Sequence, residues 1–271
     1  MNNLVKRTIF GAIYVALIIC SILFFRPYFF QFLFLIISAF AVREFHKINH
    51  SDSMLTVCGV VLAWLLFSWI SISCNTTYFS ASYYLAATYG TVLILTIVAE
   101  LFKKAEDPIH NWGILFVGQV MIALPFAMMN FLYQKSAALL LSLFIIIWLN
   151  DTGAYCVGSL IGKHKMFERV SPKKSWEGFV GGAVVAIIIG YLLFSDPLHL
   201  TGLNYNWLQS IIMSLTIVIF GTLGDLQESL MKRTLGIKDS GNVIPGHGGL
   251  LDRFDSVLLA TPALVVLLLL F

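Results

Sequence analysis

Uncharged stretches dominate the chain. Runs without Asp, Glu, Lys or Arg occupy residues 8–25, 27–42, 53–99, 108–134, 136–150, 178–195, 197–224 and 256–271. A helix needs about 20 mostly apolar residues to cross a hydrocarbon core about 30 Å thick, so most of these runs predict one span each. The 53–99 run is long enough for two and breaks near Ser71–Ser80, where Asn75, Thr76 and Thr77 interrupt it. The short 136–150 run makes a span only by continuing through Asn150 and Asp151 to about Ile161. The last run extends back to Leu250 and carries Asp252 and Asp255 at the start of its helix. Nine helices result, at 8–25, 27–43, 53–72, 80–102, 112–132, 136–161, 176–195, 207–234 and 250–271. Phe24-Phe25-Arg26-Pro27 offers no small-residue cleavage site, so 8–25 reads as a retained helix and not a signal peptide.

Composition agrees with the pattern. Of 271 residues, 59% are hydrophobic and 11% are charged, against about 25% charged in an ordinary soluble domain. So few charges cannot cover a water-facing surface, and a disordered chain would be far more polar. The expectation is an all-α polytopic integral membrane protein. Lys and Arg in short loops report orientation. With the N-terminus cytoplasmic, the cytoplasmic segments hold every Lys and Arg except Arg26 and Lys135. No loop is long enough for a separate soluble domain. Residues 1–135 are expected to be scaffold or lipid-facing surface, and 136–271 to carry the chemistry, because nine of the 14 acidic residues lie after residue 150. Cys20, Cys58, Cys74 and Cys156 lack metal spacing and read as small buried hydrophobes. Phe29, Phe30, Phe32, Phe34, Trp64 and Trp69 read as lipid-facing or interfacial aromatics. His46, His50, His110, His164 and His199 fall at loop positions, and only His247 lies in a motif. The basic loops contain no nucleic-acid-binding module, and no Walker, HExxH or GxSxG motif occurs.

Three polar clusters stand out. Asn150-Asp151-Thr152-Gly153-Ala154-Tyr155 places an ionisable group inside a span, which costs about 2.5–3.5 kcal/mol on insertion scales and so calls for a function or a partner. A polar helix–helix contact beside Gly153 and Ala154 would also account for it. Ser171-Pro172-Lys173-Lys174-Ser175-Trp176-Glu177-Gly178 sets two ammoniums near a helix N-terminus, where they suit a phosphate, or else only mark topology or meet anionic headgroups. The third cluster runs from Gly221 to Asp255. Asp225, Glu228, Ser229 and Lys232 share one helix face at i, i+3, i+4 and i+7. Pro245-Gly246-His247-Gly248-Gly249 is a turn whose backbone N–H groups could wrap a phosphate. Asp225 and Asp252 then stand on two helices joined by that loop. Carboxylates, Lys, Arg and a glycine-rich loop together suggest Mg2+ and phosphate chemistry; the alternative is a solvated loop held by ion pairs.

The third cluster resembles a family signature. Ser229-x-Met231-Lys232-Arg233-x4-Lys238-Asp239-x-Gly241-x2-Ile244-Pro245-x-His247-Gly248-Gly249-Leu250-x-Asp252-Arg253-Phe254-Asp255 is similar to the motif of phosphatidate cytidylyltransferases, the CDP-diacylglycerol synthases. The first two clusters also look like segments of that family, whereas residues before 150 match only as generic membrane helices. The resemblance implies CTP and phosphatidic acid as substrates, CDP-diacylglycerol and pyrophosphate as products, Mg2+ as cofactor with K+ a candidate second cation, a homodimer, and a bacterial inner membrane with the site on the cytoplasmic face. It implies Asp225 and Asp252 as Mg2+ ligands, and Lys232, Arg233, Lys238 and Arg253 as phosphate-binding groups. Gly246, His247, Gly248 and Gly249 would contact nucleotide or pyrophosphate. Asn150, Asp151, Tyr155, Lys173, Lys174, Ser175, Glu177, Glu228 and Ser229 would complete the substrate pocket, with Asp239 and Asp255 orienting the bases. Two rivals are a CTP-dependent lipid-alcohol kinase and a transporter. The complete signature opposes the first. Confinement of the polar residues to the second half opposes the second, since transporters are commonly built from repeats.

Overall fold

A computed structural model describes residues 3–24, 27–75, 78–241 and 248–271. Among them the chain is helical apart from loops and one small hairpin. The helices are α1 (Asn3–Leu23), α2 (Tyr28–Ile48), α3 (Ser53–Ser73), α4 (Phe79–Lys103), α5 (Pro108–Gly118), α6 (Leu124–Lys135), α7 (Ala137–Ile161), α8 (Trp176–Phe194), α9 (Trp207–Thr234) and α10 (Leu251–Leu270). A π-helical segment, Gln119–Ala123, joins α5 to α6, so Pro108–Lys135 is one rod. Leu124 N–H bonds to Gln119 O in the wide i→i+5 manner. Pro125 follows, and having no N–H it cannot continue the α ladder. Eight helices are long and apolar enough to cross a membrane, and Thr8–Leu23 adds a shorter apolar helix among the described residues. The chain is an all-α polytopic membrane protein.

It divides into two compact units, Met1–Gln134 with Asp239–Arg253, and Lys135–Lys238 with Phe254–Phe271. In the first, α2 packs on α3, α3 on α4, and the α5–α6 rod on α2 and α3. Phe30 and Phe34 are fully buried, with Phe30 stacked on Tyr133 at a centroid distance of 4.4 Å. That corrects their expected lipid-facing role. Spaced i, i+4, they begin the inward face that continues through Ile37, Ala41 and Phe45, while Phe29 and Phe32 point outward. Helix α2 also runs five residues past the expected end at 43. His46 is therefore a buried helical residue and not a loop residue, set against Gly59, where a Cβ would come 2.5 Å from its Nε2. At α3's start, Asp52 accepts from Leu55 N (2.6 Å) and pairs with Lys103 (2.8 Å). Partial burial pushes the Asp52 carboxyl upward, but the Leu55 amide and Lys103 outweigh it and hold the carboxyl below its usual range.

In the second unit α8 packs on α7 and α9. Gly178, Gly182, Ala186 and Gly190 recur every fourth residue and are all buried, forming a small-residue ridge. A Cβ on Gly182 would stand 2.5 Å from Asn150 O, and one on Gly178 would stand 2.8 Å from Ala154 O. Backbone atoms cannot swing aside as a side-chain tip can. Gly182→Val should therefore lower the melting temperature in detergent, at a cost of about 1–3 kcal/mol. Gly113→Ala is the control: nothing lies within 4 Å of its Cβ position, and a helical Gly→Ala change stabilises by about 0.5–1 kcal/mol. Equal melting shifts would remove the packing argument.

The loop expected at 162–175 is partly a two-stranded antiparallel hairpin, β1 (Lys165–Phe167) and β2 (Ser171–Ser175). Ser175 then caps α8 by accepting Gly178 N–H at 3.2 Å. Between α8 and α9, Asp196 accepts from Leu200, Thr201 and Gly202 N–H groups. Desolvation pushes its carboxyl up, but these donors prevail and hold it below the usual range. Cys156 is exposed on α7, contrary to the buried expectation, because it falls on α7's outward side with Tyr155 and Ser159; the other three cysteines are half-buried.

Candidate active site

In the second unit, α7, β2, α9 and α10 bring charged groups together. Gly224 makes this possible on α9. A Cβ there would stand 2.5 Å from Asp255 O and 3.3 Å from Ser256 Cα, so only glycine admits the α10 backbone this close. Next to it, Asp225 pairs through Oδ2 with Lys174 Nζ at 2.6 Å and accepts from Ser229 Oγ on Oδ1 at 3.3 Å. One turn on, Lys232 Nζ bonds to Glu228 Oε2 at 2.7 Å, with both side chains nearly buried. Asp255 lies within electrostatic reach of Asp225, Glu228 and Asp151, and Asp151 within reach of Lys174 and Asp225. Four carboxylates thus share a region with two ammoniums. A divalent cation would relieve the crowding of these carboxyl groups.

Other expected site residues have local duties. Glu177 accepts from Lys163 N at 3.1 Å and His164 N at 3.2 Å, and meets His164 Nδ1 at 2.5 Å, tying α8's first turn to the approach of the hairpin. Asn150 is buried beside Gly182. Tyr155 is 77% exposed on α7, and Lys173 is exposed on β2. Arg233 Nη1 donates to Ile237 O at 3.3 Å at the end of α9, and Lys238 is exposed.

In the first unit the signature loop is organised around Asp252. Its Oδ2 accepts from Ser240 N (3.0 Å) and Gly249 N (2.7 Å) and lies 3.0 Å from Ser240 Oγ. Gly248 has φ +84°, and a Cβ on it would stand 2.6 Å from Asp252 Oδ2. Asp239 is exposed. Arg253 O accepts from Tyr14 Oη at 3.0 Å. Gly246 and His247 lie outside the described residues. Three contributors had no role in the sequence reading: Ser240, a variable position of the signature; Tyr14 on α1; and Glu44 on α2. Only an acidic residue near the end of a span could have flagged Glu44.

The donor chemistry fits Mg2+, a hard cation that prefers oxygen ligands. Among the described residues no three His, Cys, Asp or Glu side chains are spaced to hold a metal ion. Mg2+ does not demand such a cage, since it commonly takes one or two carboxylates and completes its shell with water and substrate phosphate oxygens.

The family model described as "Cytidylyltransferase family" matches residues 5–271. Relatives named phosphatidate cytidylyltransferase are 46% identical over 125 residues in Staphylococcus haemolyticus, 45% over 127 in Staphylococcus saprophyticus and 47% over 127 in Staphylococcus epidermidis. Each of these alignments spans 46% of this chain and 46% of the relative, about half the length of the proteins it matches. The family match, unlike these, runs nearly end to end, and on it the chain belongs to the cytidylyltransferase family.

Proposed function

We propose that the protein transfers the cytidylyl group of CTP to phosphatidic acid, releasing pyrophosphate and forming CDP-diacylglycerol. The observation that carries this reading is the complete signature from Ser229 to Asp255 in a chain of the cytidylyltransferase family. The names of the staphylococcal relatives support it, and so does a site most of whose charged groups sit on helices long and apolar enough to cross a membrane. A lipid phosphate and a water-soluble nucleotide could meet at the membrane surface.

A phosphate monoester is already largely ionised near neutral pH, so the lipid phosphate oxygen is a competent nucleophile without a catalytic base. It bonds to the α-phosphorus of CTP while the bond from that phosphorus to the β-phosphate bridging oxygen breaks, and pyrophosphate leaves with the electron pair. The barrier is electrostatic, because two anions must approach and charge moves to the leaving group. Lys174, Lys232, Arg233, Lys238 and Arg253 supply positive charge for the phosphates, with Glu228 orienting Lys232 and Asp225 orienting Lys174. Asp225 and Asp252 are the proposed Mg2+ ligands, and the ion would screen phosphate charge and orient the reacting oxygens; K+ is the candidate second cation. The same reading makes the protein a homodimer in a bacterial inner membrane, and the Lys and Arg distribution favours a site on the cytoplasmic side.

The test is purified protein in detergent micelles with phosphatidic acid and CTP labelled separately at the α- and γ-phosphates. The expected result is α-label in lipid and γ-label in pyrophosphate. γ-Label in lipid with CDP released would replace this reading with a lipid kinase, and no turnover of CTP would remove it.

A further inference from the structure

Glu44 is a carboxylate that no feature of the signature accounts for. It lies on α2, is 6% exposed, and among the described residues has no ion-pair partner. A buried carboxylate without a cation is costly unless donors satisfy it. Among the described residues its donors all come from one place. Ser240 Oγ donates to Oε1, Leu250 N donates to Oε2 at 2.8 Å, and Leu251 N approaches Oε1 at 3.4 Å. Ser240 stands at one end of the signature loop, and Leu250 and Leu251 at the other.

Leu250 and Leu251 are also where α10 begins. The first N–H groups of a helix have no intrahelical acceptor and carry the positive end of its dipole. Glu44 therefore caps α10 from a different helix. The same Ser240 hydroxyl lies 3.0 Å from Asp252 Oδ2, so Glu44 and Asp252 are linked through one side chain. The backbone is shaped around this carboxylate as well. A Cβ on Gly249 would overlap Glu44 Oε1, and one on Gly241 would stand 3.1 Å from Glu44 Cδ. Both are glycines of the signature, and the Glu44 carboxylate gives a steric reason for them.

We infer that Glu44 is a positioning residue for the reaction: it pins the two ends of the signature loop and the start of α10, and so sets where Asp252 and Arg253 are presented. This rests on the function proposed above for its catalytic part and on geometry alone for its positioning part, and the experiment separates the two. Hydrogen exchange of the ligand-free protein is followed in peptides covering 248–252 and in α3, alongside kcat and KM for CTP, for the wild type, Glu44→Ala, Glu44→Gln and Ser240→Ala.

In Glu44→Ala, exchange at 249–251 should rise at least tenfold with α3 unchanged, and kcat should fall about a hundredfold with KM for CTP moving less. Glu44→Gln keeps one acceptor oxygen for the Leu250 amide and should recover most of kcat. Ser240→Ala combined with Glu44→Ala should be no worse than Glu44→Ala alone, because both act on one contact network. Unchanged exchange at 249–251 in Glu44→Ala overturns the inference whatever happens to activity. Faster exchange throughout α3 as well overturns it in favour of a general packing role. If the wild type turns over no CTP, the functional reading fails while the exchange result still decides whether Glu44 holds the loop.

Discussion

Asp225→Asn should lower cytidylyl transfer about a thousandfold or more while leaving the protein folded. Asparagine has the same shape, and its amide oxygen can still accept from Ser229 in place of Oδ1 (3.3 Å). What it lacks is the second carboxylate oxygen, which pairs with Lys174 at 2.6 Å, and the charge. Both partners of that pair are more than a quarter exposed, at 27% and 29%, so its contribution to stability is at most about 1 kcal/mol. A large loss of activity would therefore not be a folding effect. It would arise because Asp225 is the group near Asp151, Asp255 and Lys174 at once, so its charge sets both the attraction for a cation and the direction of Lys174. Losing one preorganised electrostatic partner commonly costs 10²–10³ in rate, and the role proposed for Asp225, a metal ligand that also orients a lysine, stands at the upper end. The measurement is transfer from labelled CTP at limiting Mg2+, with a melting curve on the same preparation. Activity within tenfold of wild type would end the assignment of Asp225 as a Mg2+ ligand.

Much of the fold was legible because span length is set by the bilayer and not by tertiary contacts. The nine stretches expected from uncharged runs each correspond to one helical rod, with ends shifted by a few residues. Misread ends have particular causes. Asp107 and Pro108 cap and start their rod four residues before the expected 112, since Asp107 accepts from His110 N at 2.9 Å and proline is tolerated in a first turn. Helix α2 runs on through Arg43, Glu44 and Lys47 because its buried face continues to Phe45 and His46. A charged residue therefore does not mark the end of this helix.

The hairpin at 165–175 was hidden because three- and five-residue strands carry too short an alternation to register. At the site, one-helix geometry was readable: Asp225, Glu228, Ser229 and Lys232 share a face by spacing, and Glu228–Lys232 and Asp225–Ser229 are bonded. Pairings between elements were not readable. Nothing in spacing joins Lys174 to Asp225, or Glu44 to the loop beginning near residue 240. Those depend on how elements pack: Gly224 admits the α10 backbone beside Asp225, and Gly249 leaves the space that the Glu44 carboxylate fills.

Asp252→Asn and Asp252→Ala should separate charge from architecture. Two backbone donors converge on Asp252 Oδ2, Ser240 N and Gly249 N. A single asparagine oxygen in that position, with its two lone pairs, can accept both, so Asp252→Asn should keep the loop's exchange protection and melting temperature near wild type. Its activity should nevertheless fall by a hundredfold or more, because a neutral amide is a far weaker Mg2+ ligand than a carboxylate. Asp252→Ala removes the acceptor too. It leaves the Ser240 and Gly249 amides without their bond at the start of α10, which costs about 1–3 kcal/mol per buried group left unsatisfied. That variant should lose activity at least as fully and also lose protection at 248–252. The contrast is the decisive reading. If asparagine and alanine both release the loop, Asp252 acts through its charge on the backbone. If asparagine retains both the loop and near-normal transfer, Asp252 is an architectural residue alone, and the Mg2+ role assigned to it is withdrawn.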